Sequence, residues 1–178
     1  MNYIFLDRDG VINEPVIVDN KPYPPKSVKD LVISESSKKA IKLLQKNYYE
    51  IIVVTNQPDV ARGKTTKESV KKINQRISEI CKINHFRVCF HDDVDKCSCR
   101  KPKPGLLIEA SKEFNFNLDA TFMIGDRKKD IIAGQLAGCR TIFIDRRYNE
   151  EKPVKCDKVV NNLFQAAMFV IDSLGVTQ

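Results

Sequence analysis

Five short apolar runs, at residues 3–6, 51–54, 86–90, 121–124 and 141–144, alternate with longer stretches whose apolar residues recur at helical spacing. Runs this short, bounded by turn and polar residues, read as strands covered on both faces. Strands of that kind alternating with helices specify an α/β fold built on a doubly wound parallel sheet. Residues 158–160 offer a short sixth strand. The helical stretches carry their own punctuation. Ser34 or Ser36 caps a helix whose apolar face is Ala40, Ile41, Leu43 and Leu44, running to about Lys46. Thr65 and Glu68 form a capping-box pattern opening a helix through Val70, Ile73, Ile77 and Ile80. Pro104 suits a first helical residue ahead of Leu106, Leu107, Ala110 and Phe114, Gly138 stops the next helix, and Leu163 to Leu174 closes the chain. Residues 14–30 hold Pro15, Pro22, Pro24 and Pro25, which predicts a flap or hairpin instead of a helix. No repeat or linker breaks the 178 residues, so a single domain spanning 1–178 is expected.

In open α/β sheets ligands bind beyond the carboxyl ends of the strands, and those ends are where the polar residues of this chain collect. The first run delivers Asp7-Arg8-Asp9-Gly10, the second Thr55-Asn56-Gln57, and the fourth Gly125-Asp126-Arg127 with Asp130 close behind. Between the third and fourth lies Arg100-Lys101-Pro102-Lys103-Pro104-Gly105. Residues two apart face the same side of an extended strand, so Asp7 and Asp9 would meet one reacting group if the extension persists. A lone D-x-D reads as a charged turn. Joined at one sheet edge to a hydroxyl-amide pair and a lysine, it is what metal-assisted phosphoryl transfer requires. Carboxylate oxygens hold Mg2+, and the hydroxyl, amide and ammonium neutralise phosphate oxygens.

A second constellation is Cys89-x-His91, five residues, then Cys97-x-Cys99. Three thiolates and an imidazole paired at the ends of a short loop match a closed tetrahedral zinc site, structural because no position is left open. Its task would be to pin the loop that presents Arg100 and Lys101. Cys81, Cys139 and Cys156 stand apart among apolar or turn residues and read as structural thiols, and His85 as a surface residue. No apolar run approaches the ~20 residues of a membrane span, and the chain enters a strand without a leader pattern, so a cytoplasmic protein without a membrane partner is expected. The net charge of +7 favours anionic ligands. No basic cluster interleaves with aromatics as a single-strand platform requires, which disfavours nucleic acid.

With FLDRDGVIN, VTNQ, ARG, C-x-C-R-K-P-x-P-G and GDR followed by D-I-x-A-G in order, the chain resembles the haloacid dehalogenase (HAD) superfamily of phosphatases over about residues 3–145. Within it, the motifs are similar to the bacterial branch that holds heptose-bisphosphate and histidinol-phosphate phosphatases. The resemblance implies a Rossmann-like HAD domain, and the spacing between motifs leaves room for a flap but no cap domain. It implies Asp7 as nucleophile, Asp9 as general acid and base, and Thr55, Asn56, Gln57 and Lys101 around the transferring phosphoryl group. Asp126 would complete the Mg2+ site with the Asp7 side chain and the Asp9 carbonyl, with Asp130 in support. Arg100 and Arg127 would contact substrate. The implied substrate is a small phosphorylated metabolite, a heptose bisphosphate first and histidinol phosphate second, handled by a monomer. Pro58-Asp59 and Arg127 depart from the heptose pattern and bear on that choice. A polynucleotide 3'-phosphatase shares part of the motif set, and a zinc-stapled binding module that has lost catalysis is the non-enzyme alternative.

Overall fold

The computed structural model describes residues 2–18 and 21–173. Six parallel strands form one sheet: β1 (Asn2–Leu6), β4 (Tyr49–Asn56), β5 (His85–Cys89), β6 (Phe122–Gly125), β7 (Arg140–Ile144) and β8 (Lys158–Val160). Their spatial order is β5-β4-β1-β6-β7-β8, so the chain builds outward from β1 to one edge and then returns to build toward the other. That reversal flanks β1 with β4 and β6 and opens the crevice of a doubly wound sheet at its carboxyl end. Because successive side chains point to opposite faces, β1 feeds two cores. Ile4 and Leu6 pack with helices α1 (Glu35–Lys46), α2 (Lys67–Cys81) and α5 (Leu163–Asp172), whereas Phe5 packs with α3 (Gly105–Phe114) and with Ala133 of α4 (Lys128–Ala137).

The segment between β1 and α1 is a two-stranded hairpin, β2 (Val16–Val18) and β3 (Lys21–Tyr23), followed by a 3-10 turn at Val28–Asp30. It is the flap the prolines predict, and no cap domain is inserted. Two expected helix starts move by one residue. Asp59 O accepts from the N–H groups of both Lys64 and Thr65, which keeps Thr65 in the preceding turn and leaves Thr66 as the cap, its side chain accepting from Ser69 N at 3.1 Å. Pro104 stands just before α3, where its carbonyl accepts the first helical bonds, from Leu107 and Ile108. Of the two candidate caps for α1, Ser34 fills the role, accepting from Ser37 N. The expected end of the last helix at Leu174 lies outside the described residues. Among the described residues, no helix is long and apolar enough to cross a membrane.

Candidate active site

Asp7 follows directly on β1, its N–H bonded to Ile124 O at 2.9 Å, and points its carboxylate into the crevice. Asp126 arrives from the end of β6 and Asp130 from the first turn of α4, and an oxygen of each of the three lies within 4.8 Å of the others. Both Asp126 oxygens are buried and neither makes a hydrogen bond of normal geometry, the Tyr148 hydroxyl being the polar group beside them. Gly10 makes this approach possible. Its φ is +92°, and a Cβ there would stand 1.8 Å from Asp126 Oδ2. Carboxylates so close raise one another's proton affinity. Burial, opposed by Lys101 and reinforced by Asp130 and Asp9, pushes Asp7 up to about 6. Burial, then the charges of Asp7 and Asp130, holds Asp126 well above the usual carboxylate range. Converging oxygens with an unpartnered, buried carboxylate among them fit a hard divalent cation such as Mg2+, ligated by Asp7 and Asp126.

Asp9 does not share that cluster through its side chain. Extension ends at Asp7: Ile12 N bonds back to Arg8 O at 2.9 Å, and the resulting turn carries Asp9 sideways, still lining the cleft. Its carboxylate takes four donors: Arg8 at 3.1 and 3.0 Å, Asn13 at 3.1 Å and Gln57 at 2.8 Å. Arg8 is fully buried and its remaining contact is to Asn74 of α2. Gln57 Nε2 also donates to Thr55 Oγ1 at 2.9 Å, which leaves the threonine hydroxyl free to donate into the cleft. Gln57 itself does not line the cleft, so it couples Asp9 to Thr55 without touching a ligand there. Replacing Gln57 with Leu removes a hydrogen bond to a charged group, worth about 1.5–3 kcal/mol. The expected result is a kcat roughly 10- to 100-fold lower. A Gln57→Leu variant whose kcat stays within twofold of the parent would remove the coupling role.

Lys101 is buried, and its Nζ sits 2.6 Å from Asp7 Oδ1, 2.7 Å from Asp130 Oδ1 and 2.7 Å from Val54 O. Burial opposes its charge, but Asp130 and Asp7 outweigh that and hold the ammonium above its ordinary pKa. Asn56 clamps the Lys101 backbone at both atoms, donating to its carbonyl at 2.9 Å and accepting from its N–H at 3.1 Å. Both amide atoms of Asn56 are thereby engaged. Arg127 lines the cleft but donates to Pro22 O and Glu150, tying α4 to the hairpin. Arg100, expected beside the substrate, lies elsewhere: Asp93 at 2.7 Å and Asp92 at 3.7 Å draw it back onto its own loop, away from the cleft lining. Sequence reasoning missed Lys129, a half-buried lysine that lines the cleft, because a Lys pair at the start of a helix reads as a solvated face. Burial lowers its pKa, partly offset by Asp130.

Cys89, His91, Cys97 and Cys99 come together as their spacing predicts. Their sulfurs are 3.2, 3.4 and 3.8 Å apart, and His91 Nδ1 lies 3.3 and 3.7 Å from Cys99 and Cys89. A zinc–sulfur bond of about 2.3 Å gives a tetrahedral edge near 3.8 Å, so the donors fit zinc with slight expansion. The loop is fastened from outside as well. Lys103 Nζ donates to the carbonyls of Lys96 and Cys97, and Gly105 N to Ser98 O, an approach that a Cβ at Gly105 would block at 2.5 Å. Arg62 forks onto Asp92 at 2.6 and 2.7 Å, linking this loop to the one after β4.

The cleft between these loops has a volume of about 220 Å3. A family model described as HAD-hydrolase-like matches residues 98–166. Over 149 residues the chain is 33% identical to a D-glycero-beta-D-manno-heptose-1,7-bisphosphate 7-phosphatase of Neisseria meningitidis, covering 81% of this chain and 77% of that one. A D-glycero-alpha-D-manno-heptose-1,7-bisphosphate 7-phosphatase of Photorhabdus laumondii is 28% identical over 179 residues, covering 93% of this chain and 94% of that one. The crystal structure of D,D-heptose 1,7-bisphosphate phosphatase from B. bronchiseptica with magnesium and phosphate superposes with a TM-score of 0.85 at 25% identity, covering 97% of this chain and 99% of that one. Carboxylates, lysine and threonine gathered at the switch point of a capless sheet, together with these similarities, establish that the chain belongs to the HAD-like phosphatases, in the branch of the D-glycero-D-manno-heptose-1,7-bisphosphate 7-phosphatases.

Proposed function

We propose that this enzyme removes the 7-phosphate of D-glycero-D-manno-heptose 1,7-bisphosphate through an aspartyl-phosphate intermediate. The observation that carries the reading is the buried contact of Lys101 with Asp7 beside the unpartnered Asp126 carboxylate. Asp7 attacks phosphorus and the bond to the sugar oxygen breaks. Asp9 supplies the proton that this oxygen takes, then accepts one from the water that hydrolyses the Asp7 phosphoester. Lys101 cancels the charge repulsion between Asp7 and the incoming phosphate, while the Thr55 hydroxyl, oriented by Gln57, donates to a phosphoryl oxygen. Asp7, Asp126 and the Asp9 carbonyl would hold Mg2+, with Asp130 in support, and the ion supplies further neutralisation of the phosphoryl oxygens. The Cys89, His91, Cys97 and Cys99 set would hold a structural zinc.

Phosphate release from both anomers of the heptose bisphosphate, from histidinol phosphate and from a 3'-phosphorylated oligonucleotide tests the assignment. One heptose anomer should reach a kcat/KM of about 10^4 M⁻¹s⁻¹ or more, with the other two substrates at least tenfold poorer. A higher kcat/KM on histidinol phosphate or on the oligonucleotide would reassign the substrate. Mild chelation should abolish turnover, restored by Mg2+, while about one zinc per chain stays bound.

A further inference from the structure

The loop after β7 runs back to the turn that follows Asp7. Arg146 ties the two together, its Nε donating to Gly10 O at 2.8 Å and its Nη1 to Glu14 at 2.9 Å. Asp145 shapes the loop, its carboxylate accepting from Arg147 N at 2.9 Å and from Lys152 Nζ at 2.6 Å. Arg147, held in that turn, has a φ of +57°, and the reversal brings Tyr148 inward against Asp126. A Cβ added at Gly10 would stand 1.8 Å from Asp126 Oδ2 and 3.0 Å from the Tyr148 hydroxyl, so the two groups converge on the same side of that glycine. The hydroxyl is buried without a hydrogen-bond partner, as are both oxygens of Asp126. Unmade bonds at buried polar groups are costly, so an orphaned donor set beside an orphaned acceptor calls for a function.

We infer that Tyr148 is a positioning residue for the divalent-cation site: its hydroxyl donates to the Asp126 oxygen that does not ligate the ion, and so fixes the orientation of the carboxylate. The inference rests on the Mg2+ reading of the preceding subsection and adds a residue that lies outside every motif of the chain. A carboxylate that gives one oxygen to a metal needs a donor for the other. Of the side chains that act on Asp126, the carboxylates of Asp7 and Asp130 can only accept when ionised, and Arg127 is turned to Pro22 O and Glu150. A phenol is a donor at neutral pH, and Tyr148 brings one donor to an aspartate with two open acceptors. That leaves one Asp126 oxygen for the ion. Because the loop that carries Tyr148 is fastened through Arg146 to Gly10 and Glu14, the donor is held by the same turn that presents Asp7 and Asp9.

The test titrates chelated wild type and Tyr148→Phe with Mg2+, followed by the rise in melting temperature, and with Mn2+, followed by loss of the free-ion electron paramagnetic resonance signal. The half-saturating concentration of both ions should rise at least about tenfold in Tyr148→Phe. At saturating Mg2+ its kcat should stay within about threefold of wild type, because the hydroxyl touches neither the substrate nor the reacting atoms. In chelator the variant should melt no lower than wild type, since the deleted hydroxyl has no partner to lose. Half-saturation within about twofold of wild type for both ions overturns the role of Tyr148 and leaves the metal reading standing. Weaker binding accompanied by a lower melting temperature in chelator overturns it too, because damaged packing then accounts for both. Wild type that takes up neither ion overturns the metal reading, and the role of Tyr148 with it.

Discussion

Asp7→Asn is expected to reduce turnover at least about 10^4-fold while leaving the protein folded. An amide cannot form the acyl phosphate, and water has no other route to phosphorus in a site arranged around that attack. Phosphomonoester hydrolysis is among the slowest uncatalysed reactions, so loss of the covalent step is not made up by the remaining charges. The fold should survive because Asp7 packs against charges and not against the apolar cores, which are filled by Ile4, Phe5 and Leu6 before it. Turnover within tenfold of the parent, measured as phosphate release under saturating substrate, would remove Asp7 as nucleophile.

The same substitution has a consequence for stability in chelated protein. Folding raises the pKa of Asp7 from an ordinary 3.8 to about 6, so the folded state holds this proton more tightly than the unfolded state. The stability it contributes is fully present below pH 4 and is lost as pH rises through 6, an amount on the order of 3 kcal/mol. Asp126 acts in the same direction. Chelated wild type should therefore melt lower at pH 7 than at pH 5, with Asp7→Asn showing a shallower decline and added Mg2+ flattening the wild-type curve. A melting temperature that rises between pH 5 and 7 in chelated wild type would contradict the buried carboxylate cluster.

Much of this architecture is legible in the chain because strand burial is written in local apolar runs and the candidate catalytic residues sit immediately after them. Asp7, Thr55 and Asp126 needed no tertiary information to be placed at one edge. What escaped local reading depends on contacts between distant residues. Asn56 lines the cleft as its motif suggests, but nothing local announces that its amide also clamps a backbone 45 positions away. Arg100 points at the substrate by motif, yet Asp92 and Asp93 in its own loop hold it aside. Arg8 sits between two aspartates and would be expected in water, but Asp9 and Asn74 together supply the partners that let it be fully buried. Lys129 carries no motif at all. The one-residue shifts at Thr66 and Pro104 have a different origin, namely turn bonds to Asp59 O and first helical bonds to Pro104 O that compete with the simplest capping pattern.

Lys101 has two anchors, and removing both should cost far more than the product of removing each. One anchor is Asn56, which grips the Lys101 N–H and carbonyl. The other is the cysteine-histidine cluster, whose Cys97 and Cys99 lie a few residues upstream on the same loop. A structural zinc contributes about 10–16 kcal/mol in a small peptide, but this protein has two apolar cores of its own. The metal is therefore expected to order the loop, not to fold the sheet. With either anchor intact, Nζ also keeps its contacts to Asp7, Asp130 and Val54 O, so Asn56→Ala and Cys99→Ser should each lower kcat about tenfold. With both gone, the loop keeps only the outer bonds of Lys103, the Gly105 N–H and Arg62, none of which grips Lys101 itself, so the lysine can shift by about 1 Å, an error that costs about 100-fold on its own. The double variant should fall at least about 10^3-fold, with zinc lost, far-UV circular dichroism near native and a cooperative melt retained. If Cys99→Ser loses its zinc and leaves kcat unaltered even in the Asn56→Ala background, the metal loop does not position Lys101 and its role is confined to stability.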